Sequence, residues 1–184
     1  MQGIVSALPQ PYEQKVLTIW EQMERLYEAK FAQTALIPHI TWHLAMQNYD
    51  MERLIPKLDS FCKLLRPLQV NVKGAASFPG STLYLKVIKS ATLSNLHQNL
   101  CELLKPFAHS PNLLYIPQNW VPHITIVHQD LSDNLIKEVL ESLNKQAVDW
   151  VFQTDNFVIL NQENDFRASL IYRFQFGEGL VFSA

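Results

Sequence analysis

The sequence predicts a chain of mixed helices and strands, folded as two lobes related by a pseudo-two-fold axis with a cleft between them. Three observations carry that expectation. The tetrapeptide Pro-His-Ile-Thr occurs twice, as Pro38-His39-Ile40-Thr41 and Pro122-His123-Ile124-Thr125. The elements around the two copies follow one order. The 184 residues, 48 % of them hydrophobic, suffice for one domain with a proper core.

A short strand over 4–8 opens the chain, followed by a helix over about 12–30, where Val16, Ile19, Trp20, Met23 and Leu26 recur at helical spacing. Pro11 suits the first turn of that helix. The first His-Thr strand covers about 39–46. Asp50 is placed to cap a second helix through Leu54, Leu58, Phe61 and Leu65, although Pro56 argues against regular early turns. Strands over 68–78 and 82–88 are split by the turn signal Pro79-Gly80, and Leu83, Leu85 and Val87 form a buried face. Thr92 or Ser94 caps a third helix carrying Leu93, Leu96, Leu100 and Leu104, and Pro106 marks its end. A polar loop over 107–119 leads into the second His-Thr strand, about 120–127. Ser132 then caps a fourth helix with Ile136, Val139, Leu140 and Leu143, and strands follow over 155–161 and 168–176.

Each half therefore reads strand, helix, His-Thr strand, helix, strand. The two motif histidines are 84 residues apart (39 to 123) and the two helix caps 82 apart (50 to 132). Repetition of both motif and element order points to an internal duplication. The expectation is a single domain over 1–184 built of two intertwined lobes, with approximate repeat halves 1–80 and 81–184. Equivalent strands would then meet near the axis, with His39 opposite His123.

Charge and motif content exclude several classes. With 15 basic and 17 acidic residues the net charge is -2, unlike the basic surface that grips long nucleic acid. The chain has 10 Pro, only 5 Gly and no Gly-rich phosphate loop, so no nucleotide cofactor is expected. Cys62 and Cys101 are too few and too widely spaced for a disulfide framework. The N-terminus lacks a basic segment and a long apolar run, and no stretch approaches a spanning helix. A cytoplasmic protein is expected, with no membrane association and no protein partner that can be inferred.

Along a strand, side chains alternate between faces, so each motif presents its His and Thr side by side. Two imidazoles with an ordinary pKa of about 6.5 can serve as base and acid near neutrality. The Thr41 and Thr125 hydroxyls suit the non-bridging oxygens of a phosphate, where charge accumulates in the transition state. One such motif would be ordinary strand sequence. Two in equivalent places suggest one site acting on a phosphodiester, without need of a metal.

The double His-x-Thr (HxT) pattern, with Pro before each His, resembles the two-histidine (2H) phosphoesterase superfamily, which includes the 2′-5′ RNA ligase and cyclic phosphodiesterase families. The likeness extends over nearly the whole chain, including Phe78-Pro79 before the strand Leu83 to Val87 and the closing Phe174-Gln175-Phe176-Gly177. It implies a bilobal α+β fold with antiparallel sheets and flanking helices around a central cleft. It further implies metal-independent hydrolysis of 2′,3′-cyclic phosphate or 2′-5′ phosphodiester bonds on RNA ends or nucleotides, with reverse 2′-5′ ligation as a side activity. By motif, His39 and His123 are the catalytic pair and Thr41 and Thr125 the phosphate binders. Trp42 replaces the usual smaller aliphatic residue after the first Thr. It falls on the face opposite His39, where a packing role is expected.

Other residues are secondary candidates. By parity His43 shares the face of His39 and Thr41, so it is expected to line the cleft as a candidate phosphate or ribose contact, whereas His128 falls off the His123 face and is expected in a loop or at the surface. His97 and His109 have no motif around them. Lys86, Arg167 and Arg173 are candidate phosphate or substrate contacts, and Tyr84, Phe166 and Tyr172 are candidate base-stacking rings. A metal reading would group His39, His43, His123 and His128 with Asp130, but it leaves the threonines unused and ranks lower. The alternative to an enzyme is a nucleotide or RNA-end binding module that keeps the pocket with little catalysis.

Overall fold

The computed structural model describes residues 1–80, 82–146, 148–162 and 168–184. Among these the chain runs β1 (Gln2–Ala7), α1 (Tyr12–Tyr27), β2 (His39–Ala45), α2 (Met51–Leu64), β3 (Leu68–Phe78), β4 (Thr82–Val87) and α3 (Ala91–Leu104). It continues with β5 (His123–His128), α4 (Asp133–Lys145), β6 (Asp149–Thr154), β7 (Asn156–Gln162), β8 (Ala168–Gln175) and β9 (Gly179–Ser183). Two 3-10 turns, Phe31–Ala35 and Leu113–Tyr115, lie before the two motif strands.

The helices follow their apolar periodicity, with corrections at their ends. α1 stops at Tyr27 because Glu28 adopts a left-handed conformation (φ 58°) and its N–H bonds back to Glu24. Leu26, read as part of the apolar stripe, is 60 % exposed. Pro11 occupies the N-cap position rather than the first turn. Asp50 does cap α2, accepting the Arg53 N–H at 3.4 Å. Pro56 is accommodated inside that helix. Full burial of Leu54, Leu58 and Cys62 along one face offsets a proline cost of roughly 3 kcal/mol. α3 is capped by Ser90, whose hydroxyl accepts from Leu93 N at 3.2 Å, and not by Thr92 or Ser94. Ser94 lies within the helix and donates back to the Ser90 carbonyl. Ser132 stands at the N-cap of α4, but its side chain makes no capping bond.

The strands form two antiparallel sheets, β2-β1-β7-β8-β9 and β5-β4-β3-β6. This is the α+β architecture expected. β6 and β9 were not expected from the pattern. In β9, Leu180, Val181 and Phe182 are all exposed along a sheet edge, so apolar and polar positions do not alternate. Gly179 opens this strand at φ 88°, and a Cβ there would overlap the Asp59 carboxylate, which accepts the Leu180 N–H at 2.7 Å.

The sheets do not divide at residue 80. β3, in the first half of the sequence, belongs to the second sheet, and β7, β8 and β9 return to the first. α1, which joins two strands of the first sheet, packs on β5 of the second, while α2 packs on β8 and β9. Beside a smaller cluster of Val5, Ala7, Val158 and Leu160 in the first sheet, one large core cluster therefore serves both sheets. Trp42 lies at its centre as expected, fully buried, stacked on Trp120 at 5.2 Å and donating to Ser6 Oγ at 2.8 Å. Among the described residues no helix is long and apolar enough to cross a membrane.

Candidate active site

Both motif strands, β2 and β5, are edge strands of their sheets, and they lie against each other. Each carries a β-bulge at the same place. In β2, Thr41 pairs with Val5 and His43 with Ile4, leaving Trp42 as the extra residue; in β5, Thr125 pairs with Tyr84 and Val127 with Leu83, leaving Ile126. A bulge breaks the two-residue alternation. Trp42 and His43 are thus buried together, as are Ile126 and Val127, and the next residues, Leu44 and His128, return to the face of the motif His and Thr.

His39, Thr41, His123 and Thr125 line a single cleft of about 560 Å³ between the sheets. His39 Nδ1 lies 2.8 Å from the Ile37 carbonyl, and His123 Nδ1 lies 2.7 Å from the Val121 carbonyl. A carbonyl only accepts, so each Nδ1 carries a proton and each Nε2 is left to the cleft. Two indoles complete the frame. Trp20 Nε1 donates to the Thr125 carbonyl at 3.0 Å, and Trp120 Nε1 to the Thr41 carbonyl at 2.9 Å.

Burial pushes the His39 pKa down to about 4; the Ile37 hydrogen bond opposes this and the nearby His123 adds to it. His123 is lowered chiefly by burial, against its bond to Val121, and further by repulsion from His128. Both imidazoles are therefore neutral near pH 7 in the free protein, each ready to accept a proton at Nε2. A bound phosphate dianion or monoanion would favour protonation of one of them, since opposite charge stabilises the imidazolium.

Other candidates are redistributed by the bulges. His43 does not line the cleft: it is 5 % exposed and its Nδ1 is 2.7 Å from the Tyr49 hydroxyl beneath the sheet. His128, expected off the site, lines the cleft with its Nδ1 2.7 Å from Thr82 Oγ1. Tyr84 stands beside Thr125, stacked on Phe78 at 4.1 Å and tilted against His123 at 5.3 Å, so it buttresses the histidine rather than facing the open cleft. Lys86 is level with His123, but it is exposed and lies along Gly74, outside the cleft lining. Tyr172 pairs with Ile159 and packs on the core, away from the cleft, and Arg173 is also outside its lining. Phe166 and Arg167 lie outside the described residues.

The five residues of the metal reading are not gathered: His43 is turned under the sheet, and the Asp130 carboxylate accepts the Phe31 N–H at 2.7 Å. Among the described residues no group of three or more His, Cys, Asp or Glu is placed to hold an ion. Among the lining residues that the sequence did not single out as site residues, Phe78 and Tyr115 touch the motif side chains. Phe78 meets His123 edge-on at 5.0 Å. Tyr115 lines the cleft near Thr41 and is kept protonated by burial, an effect the Thr41 hydroxyl opposes. It sits in a 3-10 turn of a loop read only as polar. No periodicity marks it.

Crystal structures similar to this chain include TT0787 of Thermus thermophilus, with a TM-score of 0.62 at 11 % identity, covering 96 % of this chain and 97 % of that one. Escherichia coli LigT complexed with NADP+ gives 0.58 at 12 % identity, covering 95 % of each chain. The LigT complex with 3′-AMP gives 0.57 at 12 % identity, covering 95 % and 96 %. At these identities the likeness establishes the fold. No curated protein matches the sequence. The family model of the 2′-5′ RNA ligase superfamily matches residues 11–166, most of the chain, and the protein belongs to that superfamily.

Proposed function

We propose that the protein is a phosphoesterase that opens 2′,3′-cyclic phosphates, or related 2′-5′ phosphodiesters, on nucleotides or RNA ends. The observation that carries this reading is the matched pair of imidazoles, each with Nδ1 tied to the carbonyl two residues before it and Nε2 left to one cleft. Water attacks phosphorus as one Nε2 removes its proton. The P–O bond to one ribose oxygen breaks, and the other imidazolium protonates that oxygen. Thr41 and Thr125 donate to the non-bridging oxygens as charge builds there. The step is balanced without an oxidant, a nucleotide fuel or a metal. The superfamily supports enzymatic phosphoester chemistry, and the LigT complexes with 3′-AMP and NADP+ make a nucleotide a fitting ligand.

With its pKa lowered to about 4 by burial, His39 is neutral over the working range and is given the base role, which leaves the acid role to His123. For the free enzyme, kcat/KM should then rise as His39 loses its proton near pH 4 and fall as His123 loses its own. The test is a panel of 2′,3′-cyclic nucleotides and short oligonucleotides with 2′,3′-cyclic ends, assayed with a chelator present and with the product isomer identified. Turnover that survives chelation and is lost in His39→Ala and His123→Ala supports the proposal. Saturable binding of the same compounds without product would instead make the protein a binding module.

A further inference from the structure

An edge strand has no ladder partner on its outer side, and a bulge disturbs the pairing that remains. Both conditions meet at Thr41 and Thr125, the residues just before the two bulges. Their carbonyls are nonetheless satisfied, each by one indole, at 2.9 Å and 3.0 Å. The donors cross over. Trp20, on α1 of the segment leading to the first motif, holds the second motif's threonine; Trp120, three residues before His123, holds the first motif's threonine. Both rings are buried, and Trp120 is fixed further by stacking on His97 at 4.0 Å and on Trp42 at 5.2 Å. His97 in turn donates from Nε2 to the Trp42 and Tyr115 carbonyls, at 2.9 Å and 3.1 Å.

We propose that Trp20 and Trp120 are reciprocal positioning residues, each clamping the motif threonine of the opposite strand so that the two hydroxyls are held at the spacing of one phosphate. Neither indole touches the reacting atoms in this role. Each fixes the backbone from which a threonine side chain projects, and it does so from an element tied to the other motif, so the half-sites are set relative to each other as well as within their own sheets. The consequence for turnover rests on the phosphoesterase reading; the crossed backbone contact does not.

Trp20→Phe and Trp120→Phe remove the N–H while keeping most of the ring packing. Three measurements are made on each folded variant: melting temperature, kcat and KM on a 2′,3′-cyclic nucleotide, and the carbonyl carbon resonances of Thr41 and Thr125 by NMR. The clamps predict a crossed pattern, in which Trp120→Phe moves the Thr41 carbonyl and Trp20→Phe moves that of Thr125. They also predict a fall in kcat of about 10- to 100-fold for each, as small misplacement of catalytic groups produces, with KM little changed. Variants that melt earlier but keep full kcat when folded, or carbonyl resonances that do not move, overturn the proposal. If the wild type turns over no substrate of the panel, the phosphoesterase reading falls, and the crossed resonances still decide the clamps. Should a Phe variant fail to fold, exchange of the two indole protons in the wild type decides: protection comparable to the core supports the contacts, and rapid exchange removes them.

Discussion

The two motif strands are alike where the chemistry lies and different immediately around it. In both, a histidine bonds the carbonyl two residues back, a threonine follows, an indole takes the threonine carbonyl, and a bulge comes next. Their neighbours in the sheets diverge. On the first strand, His39 and Thr41 pair with Ala7 and Val5, and Leu44 with Gly3; on the second, His123, Thr125 and His128 pair with Lys86, Tyr84 and Thr82. The first half-site therefore has small or aliphatic neighbours, and the second has polar and aromatic ones. What is shared suits proton transfer and phosphate binding. What differs gives the cleft a direction, with His128 and Thr82 lining it on the second strand's side where the first has Leu44 and Gly3.

That contrast can be broken experimentally. The largest effect after loss of a histidine is expected from the threonines, where Thr125→Val and Thr41→Val should each lower kcat by about 10²- to 10³-fold, the cost of removing one transition-state donor. Turnover close to wild type in either variant would show that the hydroxyls do not face the phosphate. A second test concerns the position after the bulge. His128→Leu gives the second strand the residue type found at Leu44, and about tenfold weaker binding of 3′-AMP is expected, on the scale of one lost hydrogen bond to a charged group, measured by calorimetry. Unaltered affinity would place the asymmetry of the cleft elsewhere.

The smallest effect concerns stability. His43 and His97 are buried with pKa values lowered to about 4, chiefly by desolvation. Unfolded, each would titrate near 6.5. Between these values the unfolded chain binds more protons, so stability is fully present above pH 6.5 and declines as pH falls toward 4. Thermal melts across that window should show the decline. His43→Gln, which can keep a hydrogen bond to Tyr49 without titrating, should make it shallower.

Much of this site was legible in the sequence, and the errors have a common cause. The helices followed from apolar spacing, and the repeated His-Thr pairs led directly to the cleft. His43 and His128 were placed on the wrong faces because strict alternation was carried through both strands, whereas each strand inserts one residue after its threonine. The bulge leaves no compositional mark at Trp42 or Ile126. The sheet membership of β3 and β7 depends on long-range pairing, which the order of elements alone does not specify. Tyr115 and Phe78 reach the cleft from a turn and a strand end, where contacts are tertiary. Trp20 appeared only as a residue of an apolar stripe; its hydrogen bond to a strand 105 residues away has no local signal.

The central claim is that His39 and His123 act as one acid-base unit on a single phosphodiester. The most direct measurement is a double-mutant cycle on hydrolysis of a 2′,3′-cyclic nucleotide, comparing wild type, His39→Ala, His123→Ala and the double variant. Residues that act as a unit are strongly non-additive. The account predicts that each single variant loses at least about 10²-fold in turnover and that the double variant is little slower than the worse single one. Independent, multiplicative losses, or turnover near wild type in either single variant, would contradict it.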